Sequence, residues 1–377
     1  MQAHFGKRWF GNILLNLPAA ENAAVEVSPR TVAHVTAAGP SLDAQTDLLA
    51  ARDEESRLIA TDTSLPTLLR SAILPDAVVS IDCQIYCYLH FLQGVPLGTP
   101  LFLDLASPPL LARRAGKCAF FASGHPLVRY LSDRWKAFPP IDTSGGNVAQ
   151  AGISLARSLG AETIHVYGAD FSYPDGKPYA RGTYLFDFFA LRESRLEPSE
   201  GRFYSFLFRS EGVTKEWTGD GWRYTTPVLL GYRRNLLASL RELDALIIPA
   251  KGRGLPLDQN AERKRNRTAH GERPRFSWAP ARARCGWREF LLSYADELRG
   301  LPPPGEPLWQ YFAAISAEQR TLWATLMPLA PSLLRDAGPG IYRSGSSPQG
   351  GSRVDALREA RRWALGKISR ALQAPAE

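Results

Sequence analysis

Between Thr31 and Gly168 the sequence alternates between short apolar runs and segments of helical character. Six of the runs are strand-like: TVAHVTA, SRLIATD, DAVVSID, TPLFLDL, KCAFFAS and ETIHVYGAD. Near-continuous apolar strands joined by helices are typical of a parallel sheet that is covered on both faces. The pattern therefore predicts an α/β fold with a Rossmann-like, doubly wound, mostly parallel sheet.

The whole chain is expected to divide into four parts. Residues 1–30 are a lead-in segment, 31–257 form the predicted nucleotide-binding domain, 258–284 form a basic linker and 285–377 a helical C-terminal region. After Phe171 the pattern loosens into a Tyr-, Gly- and Pro-rich loop. GRFYSFLFRSEG and EWTGDGWRYTTP are expected to be extended hairpin segments, VLLGYRRNLLASLREL a helix, and ALIIPAKGRGLPL a closing strand and turn.

The formal net charge of +8 is unevenly spread along the chain. Between Glu262 and Glu289 nine Lys or Arg residues face three Glu residues. Aromatic residues are poorly interleaved with these charges, so a solvated linker is favoured over nucleic-acid binding. No apolar run reaches the roughly 20 residues of a membrane span. We therefore expect a cytoplasmic protein with no nucleic-acid partner.

Ligands of doubly wound folds bind beyond the carboxyl ends of the strands. Asp62, Asp82 and Asp170 fall at three such ends, and Asp104 is a weaker fourth candidate. Carboxylates at one edge of a sheet can hold Mg²⁺ against phosphate oxygens. Helix capping or hydrogen bonds to a ribose are equally compatible with the pattern, so metal binding by Asp62 and Asp82 remains one of several alternatives.

Two turns have the composition of an anion site at a helix N-terminus. Gly39, Pro40 and Ser41 follow the first strand, where glycine permits a close approach and the following helix offers free N–H groups. The second turn comprises Ser144, Gly145, Gly146 and Asn147, which precede the helix NVAQAGISLARSLGA. Either turn alone is equally compatible with a plain strand-to-helix connection, whereas two on one sheet favour a nucleotide or sugar-nucleotide site.

Two further features suggest catalytic or binding roles. His125 follows a strand through Ser-Gly and is a candidate general base, although a single loop histidine is more often structural. The Tyr-rich loop contains Tyr179 and Arg181 and either closes over a ligand or packs as a surface flap. Arg181 has the geometry to pair with a phosphate or a carboxylate.

Four segments, taken in order, resemble the 6-hydroxymethylpterin diphosphokinase MptE-like domain. They are AAGPSLD, ATDTSLPTLLRSAILPDAVVSID, SGGNVAQAGISLARSLGAETIHVYGADFSYPDGKPYARGTY and TTPVLLGYRRNLLASL. The opening GKRWFGNILLNLP is similar to that of the bacterial branch, the motility-associated factor proteins, which resemble flagellin glycosyltransferases. The resemblance covers roughly residues 6–257.

The resemblance implies a nucleotide-dependent transferase with a small-molecule donor. In the bacterial branch the expected reaction moves a nonulosonic acid from its CMP-activated form to a Ser or Thr hydroxyl of a protein such as flagellin. Archaeal members transfer diphosphate from ATP to a pterin alcohol with Mg²⁺. A nucleotide-binding or assembly protein without turnover is a third alternative. The donor is therefore expected to be a CMP-sugar or ATP.

The resemblance also assigns roles by position. It places Gly39, Pro40 and Ser41 on the nucleotide phosphate, and Asp62 and Asp82 on the ribose or a metal. Ser144, Gly145, Gly146 and Asn147 form a second cradle. Asp170 borders the acceptor side with Tyr179 and Gly182, and Asp170 joins His125 as a candidate base. The sequence has fewer acidic clusters than the archaeal kinases, which favours the glycosyltransferase branch.

Overall fold

The computed structural model describes residues 2–23, 25–257, 281–330 and 353–373. Its centre is a seven-stranded sheet in the order β10-β6-β1-β2-β3-β4-β5, and every neighbouring pair is parallel. The strands are β1 (Val32–Thr36), β2 (Arg57–Thr61), β3 (Ala77–Ser80), β4 (Leu101–Asp104), β5 (Cys118–Phe121), β6 (Thr163–Tyr167) and β10 (Leu246–Pro249). The predicted α/β fold and its parallel sheet are confirmed.

Helices cover both faces of this sheet. In chain order they are α1 (Gln2–Asn22), α2 (Thr46–Ala50), α3 (Leu65–Arg70), α4 (Pro109–Arg114), α5 (Pro126–Arg134), α6 (Val148–Ser158), α7 (Tyr184–Ala190), α8 (Ser199–Phe208), α9 (Pro227–Glu242), α10 (Trp287–Arg299), α11 (Leu308–Ala314), α12 (Ala317–Leu326) and α13 (Arg353–Gln373). Short 3₁₀ helices span Pro40–Ala44, Ile85–Phe91 and Met327–Leu329.

Alternate residues of the strands point into two separate cores. Leu58 and Leu103 belong to a core built with α1 and the C-terminal helices, whereas Ile59 and Phe102 belong to a core built with α6 and α9. The period of two follows from strand geometry. On the second face, Gly152 of α6 lets the helix approach the sheet closely, because a Cβ there would lie 2.8 Å from Cγ1 of Val35.

The N-terminal helix α1 is fixed to the sheet by two asparagines one helical turn apart. Asn12 donates through Nδ2 to the backbone oxygens of Cys83 (3.0 Å) and Ala106 (2.8 Å). Asn16 donates to those of Leu105 (2.9 Å) and Ser107 (2.8 Å). In the sequence these asparagines only interrupt an apolar run. In the structure they join α1 to the loops that follow β3 and β4.

The C-terminal helices share their core with the sheet and α1. Leu291 of α10, Trp323 of α12 and Leu357 of α13 are all fully buried within it. Tyr130 of α5 also donates to the Glu297 carboxylate of α10 at 2.8 Å. The predicted helical character of this region is confirmed for the described residues 287–326 and 353–373. Most of the predicted basic linker, residues 258–280, lies outside the described residues.

One predicted segment is wrong. GRFYSFLFRSEG was expected to be extended, but most of it lies in α8, where Phe203 and Leu207 are buried one turn apart. The neighbouring hairpin prediction is confirmed, because β8 (Thr214–Trp217) and β9 (Trp222–Thr225) pair antiparallel. A short strand, β7 (Tyr173–Pro174), pairs with β9. Of the helices that the structure describes, none has the length and hydropathy needed to cross a bilayer.

Candidate functional site

A cavity of about 1080 Å³ lies at the carboxyl edge of the parallel sheet. We call it the main cavity. Four strand spacings separate β1 from β5 along this edge, roughly 19 Å in all. The cavity is lined by the loops that follow β1–β6, by α1 and by the Tyr-rich loop. The predicted site residues that line it are Gly39, Asp62, Asp82, His125, Ser144, Gly146, Asn147, Asp170 and Tyr179.

The first predicted anion turn is occupied by the protein itself. The Ser41 N–H donates to Oδ2 of Asp170 at 2.8 Å, and Oγ of Ser41 accepts from the Arg253 N–H at 2.8 Å. The segment after Pro40 is a five-residue 3₁₀ helix. A Cβ at Gly39 would lie 2.4 Å from Oδ2 of Asp170, so glycine is required here for packing against this carboxylate.

Asp170 is the buried carboxylate that closes this turn. It follows β6 and is 5 % exposed. Burial raises its pKa, although hydrogen bonds from Ser41 and from the Gly254 backbone oppose the rise. Its side chain is thus held between the loops after β1 and β10 while it lines the main cavity.

The second predicted anion turn leaves a donor available. Oδ1 of Asn147 accepts from the Gln150 N–H at 2.9 Å and so caps α6, a helix of 11 residues. Nδ2 of Asn147 is buried and has no partner among the described residues. Ser144 donates its N–H to Oδ1 of Asp142 at 2.9 Å. Gly145 does not line the cavity, because its backbone packs against the Gln150 side chain.

Asp62 and Asp82 lie beside each other at the ends of β2 and β3. Asp62 accepts from the Thr63 N–H (2.6 Å), the Thr63 hydroxyl (2.9 Å) and the Ser80 hydroxyl (2.6 Å). Asp82 accepts from the Gln84 N–H at 2.8 Å. Burial raises the pKa of Asp82, and the charge of Asp62 adds to the rise. A bound cation would relieve that repulsion.

Asp104 and His125 form the end of the main cavity at β4 and β5. Burial raises the pKa of Asp104 to about 6, while hydrogen bonds from Ser123 and Ala106 oppose the rise. Burial lowers the pKa of His125 to about 4. His125 is therefore uncharged at neutral pH, and its ring stands edge-on to Trp9 with centroids 5.5 Å apart.

The remaining predicted residues do not line the main cavity. Pro40, Ser41 and Arg181 line a second cavity of about 690 Å³ on the outer side of the first turn. The Arg181 N–H donates to Asp43 at 2.8 Å. Gly182 lines neither cavity and packs on α3, where its φ of +91° favours glycine.

Comparison with known proteins finds a family model that matches most of the strands around the main cavity. Residues 10–176 match the family model described as 6-hydroxymethylpterin diphosphokinase MptE-like. This part of the chain is similar to MptE-like domains. The match runs from within α1 to the turn after β7, so the resemblance noted in the sequence is confirmed over these residues.

The chain is also similar to curated relatives and to one solved structure. Two uncharacterized proteins of Treponema pallidum (strain Nichols) are 34% identical over 184 residues and 28% identical over 191 residues. The alignments cover 45% and 48% of this chain but only 65% and 33% of the relatives. The MAf glycosyltransferase of Magnetospirillum magneticum AMB-1 shares the fold with a TM-score of 0.50 at 11% identity, over 98% of this chain and 54% of that one.

The sequence reasoning missed Arg209, which lines the main cavity from the end of α8. Burial raises the pKa values of Tyr173, Tyr179 and Tyr184, and the charge of Arg209 opposes each rise. Arg209 also stacks on Phe206, with its guanidinium 3.8 Å from the ring centroid. The sequence pattern predicts an extended conformation for GRFYSFLFRSEG, the segment that contains Arg209. That prediction gives no reason to place Arg209 at the carboxyl edge of the sheet.

The charge balance of the main cavity bears on what it can bind. Among its described lining residues four are aspartates, and Arg209 is the one Lys or Arg. The described residues contain no group of three or more His, Cys, Asp or Glu that could hold a metal. A Mg²⁺ ion carried by substrate phosphates needs only one or two carboxylates. Asp62 and Asp82, which both line the cavity, fit that requirement.

Proposed function

We propose that this protein is a transferase that binds a nucleotide-activated donor in the main cavity. The favoured reaction moves a nonulosonic acid from its CMP-activated form to a protein hydroxyl, such as a flagellin Ser or Thr. The supporting observation is the roughly 19 Å line of polar side chains at the carboxyl edge of the sheet, in a cavity of about 1080 Å³. The MptE-like domain and the fold shared with a glycosyltransferase support the same assignment.

In this reaction the bond between the anomeric carbon and the phosphate oxygen breaks, and CMP leaves with the electron pair. Donors that meet the departing phosphate stabilise the developing charge. The N-terminus of α6, Nδ2 of Asn147 and the Arg209 guanidinium supply them. The acceptor oxygen bonds to the anomeric carbon, and its proton passes to a base. Asp170 is the candidate, because its raised pKa makes it a stronger base than an exposed carboxylate.

The alternative reaction is Mg²⁺-dependent transfer of diphosphate from ATP to 6-hydroxymethyl-dihydropterin. The observation that favours it is the excess of carboxylates over cations in the main cavity. A polyphosphate is repelled by four aspartates unless a divalent cation accompanies it. Asp82, with Asp62 beside it, would hold that cation, which would neutralise phosphate charge. Either donor therefore binds best with Mg²⁺, and ATP has the stronger requirement.

The test is a thermal-shift titration of the whole chain with CMP, CMP-N-acetylneuraminic acid and ATP, each with and without Mg²⁺. A ligand that binds the folded state raises Tm by an amount that grows with the ratio of its free concentration to its Kd. The proposal predicts a shift with CMP-N-acetylneuraminic acid and a smaller one with CMP. A Mg²⁺-dependent shift with ATP and none with either CMP compound would contradict the glycosyltransferase assignment.

Turnover is measured separately as CMP release from CMP-N-acetylneuraminic acid, with and without a Ser- or Thr-containing acceptor protein. Binding without release favours the nucleotide-binding or assembly role. If a folded sample shows no shift with any nucleotide, both transferase assignments fail.

A further inference from the structure

His125 is placed by its role as the N-cap of α5. Its Nδ1 accepts a hydrogen bond from the Leu127 N–H at 3.2 Å. The neutral imidazole has one nitrogen with a lone pair and one that carries the proton. Because Nδ1 presents its lone pair to Leu127, the proton of the uncharged ring is on Nε2. The capping interaction therefore fixes the tautomer.

Nε2 of His125 is a buried donor without an acceptor. The side chain is 2 % exposed, and Nε2 has no hydrogen-bond partner among the described residues. Buried polar groups are nearly always paired, so an unpaired one marks a position where a partner can bind. His125 lines the main cavity, and so a ligand in that cavity can supply the missing acceptor.

The surroundings of the ring argue against a role for His125 as a cation or as a base. His125 is uncharged at neutral pH, so it does not act as a cation towards the aspartates. The lone pair that would take a proton points at Leu127 and away from any ligand. The expectation that His125 is a general base is therefore poorly matched to its geometry.

We propose that His125 is a fixed hydrogen-bond donor that binds an oxygen atom of the ligand at the β5 end of the main cavity. The acceptor is a carbonyl, carboxylate or hydroxyl oxygen, and the identity of the whole ligand rests on the function proposed above. Because β5 lies four strands from β1, this oxygen belongs to the part of the ligand most remote from Gly39.

Two substitutions separate the capping role of His125 from its role as a hydrogen-bond donor. His125→Asn keeps a cap, because Oδ1 of asparagine occupies the position of Nδ1, but it has no group at the position of Nε2. His125→Gln extends an amide N–H to about the position of Nε2 but is a poor cap. Neither amide can act as a base. The two variants are thus matched controls for each other.

The first measurement is thermal unfolding of the full chain without ligand. His125→Asn is expected to stay close to the wild-type Tm, because the removal of a buried donor without a partner offsets the packing that is lost with the ring. His125→Gln is expected to lower Tm by roughly 2 °C through loss of the cap. A Tm for His125→Asn well below that of His125→Gln, which keeps an N–H near the position of Nε2, would show that Nε2 has a structural partner and would overturn the proposal.

The second measurement is binding of CMP-N-acetylneuraminic acid, CMP and ATP with Mg²⁺, by calorimetry. For the compound that binds the wild type most tightly, His125→Asn is expected to weaken binding about tenfold or more, and His125→Gln much less. Equal losses of affinity in both variants would show that His125 acts as a base or in another role, and would overturn the proposal. If none of the compounds binds the wild type, the proposed function fails, and the Tm comparison still decides whether Nε2 is a free donor.

Discussion

The two turns predicted to bind phosphate have similar compositions and different structures. After Gly39 and Pro40 the chain forms a short 3₁₀ helix, and its first N–H is already taken by Asp170. After Ser144 the chain forms an 11-residue α-helix, and its cap, Asn147, keeps an unpaired donor on the main cavity. The carboxylate of the first turn comes from the loop after β6, far along the chain. A distant side chain therefore decides whether an anion-ready turn remains available.

The difference also separates the roles of the glycines. At Gly39 the missing Cβ makes room for the protein's own carboxylate. Gly146 has a φ of +70°, which residues with a side chain rarely adopt, and it lines the main cavity. The first turn thus contributes mainly to packing, and the second is the better candidate for contact with a phosphate.

The largest effect is expected from Gly39→Val. A Cβ would lie 2.4 Å from Oδ2 of Asp170 and 2.5 Å from the Gly168 oxygen, so both loops must shift. Overpacking of this kind costs about 3 kcal/mol in the free energy of unfolding. Urea denaturation measures it. Gly116→Val is the control, since nothing lies within 4 Å of its Cβ. Equal stability of the two variants would show that the first turn is not packed as described.

The next effect concerns Asn147→Ser. Serine caps a helix about as well as asparagine, so the stability of the protein should change little. The variant lacks the Nδ2 donor, and binding of a nucleotide that stabilises the wild type should weaken several-fold to tenfold. Ser316→Asn, a cap exchange at α12, none of whose residues lines the main cavity, should leave both unchanged. Unaltered binding in Asn147→Ser would remove the second turn from the ligand site.

Sequence patterns identified the sheet because burial on both faces leaves a local signal. Each of the six predicted runs contains one of the strands β1–β6. The sequence patterns also placed Asp62, Asp82 and Asp170 at one edge of the sheet, since parallel strands bring their carboxyl ends together. The patterns did not reveal which polar groups are already paired. That Ser41 is engaged depends on Asp170 and Arg253, and no local pattern records contacts across such distances.

The same limit explains α8 and the C-terminal helices. Aromatic residues favour strands when they are judged locally, but Phe203 packs on Phe186 and Phe189 of α7, with centroids 4.8 Å and 5.5 Å away. That packing determines the helix and places Arg209 at the cavity. Helical periods after Trp287 were visible in the sequence. Their shared core with α1 was not, because it joins opposite ends of the chain.

The smallest effect is a difference in pH dependence between the aspartates of the two turns. Burial raises the pKa of Asp170 at the first turn. At the second turn burial would raise the pKa of Asp142, but hydrogen bonds from Ser144, Ser239 and Gln150 together lower it. Asp170 therefore stabilises the fold below its unfolded pKa of about 4 and loses that contribution as pH rises through its folded pKa. Asp142 contributes above about pH 4 and loses its contribution as pH falls through its folded pKa.

Urea denaturation between about pH 3 and pH 7, which spans the unfolded pKa of an aspartate, should consequently give slopes of opposite sign. Relative to the wild type, Asp170→Asn should gain stability as pH rises, because it lacks the carboxylate that becomes costly when ionised. Relative to the wild type, Asp142→Asn should lose stability as pH rises, because the hydrogen-bonded Asp142 carboxylate stabilises the wild type once it is ionised. If the free energies of unfolding of the two variants had the same pH dependence, the two carboxylates would be equally solvated. The electrostatic difference between the first turn and the second turn would then be absent.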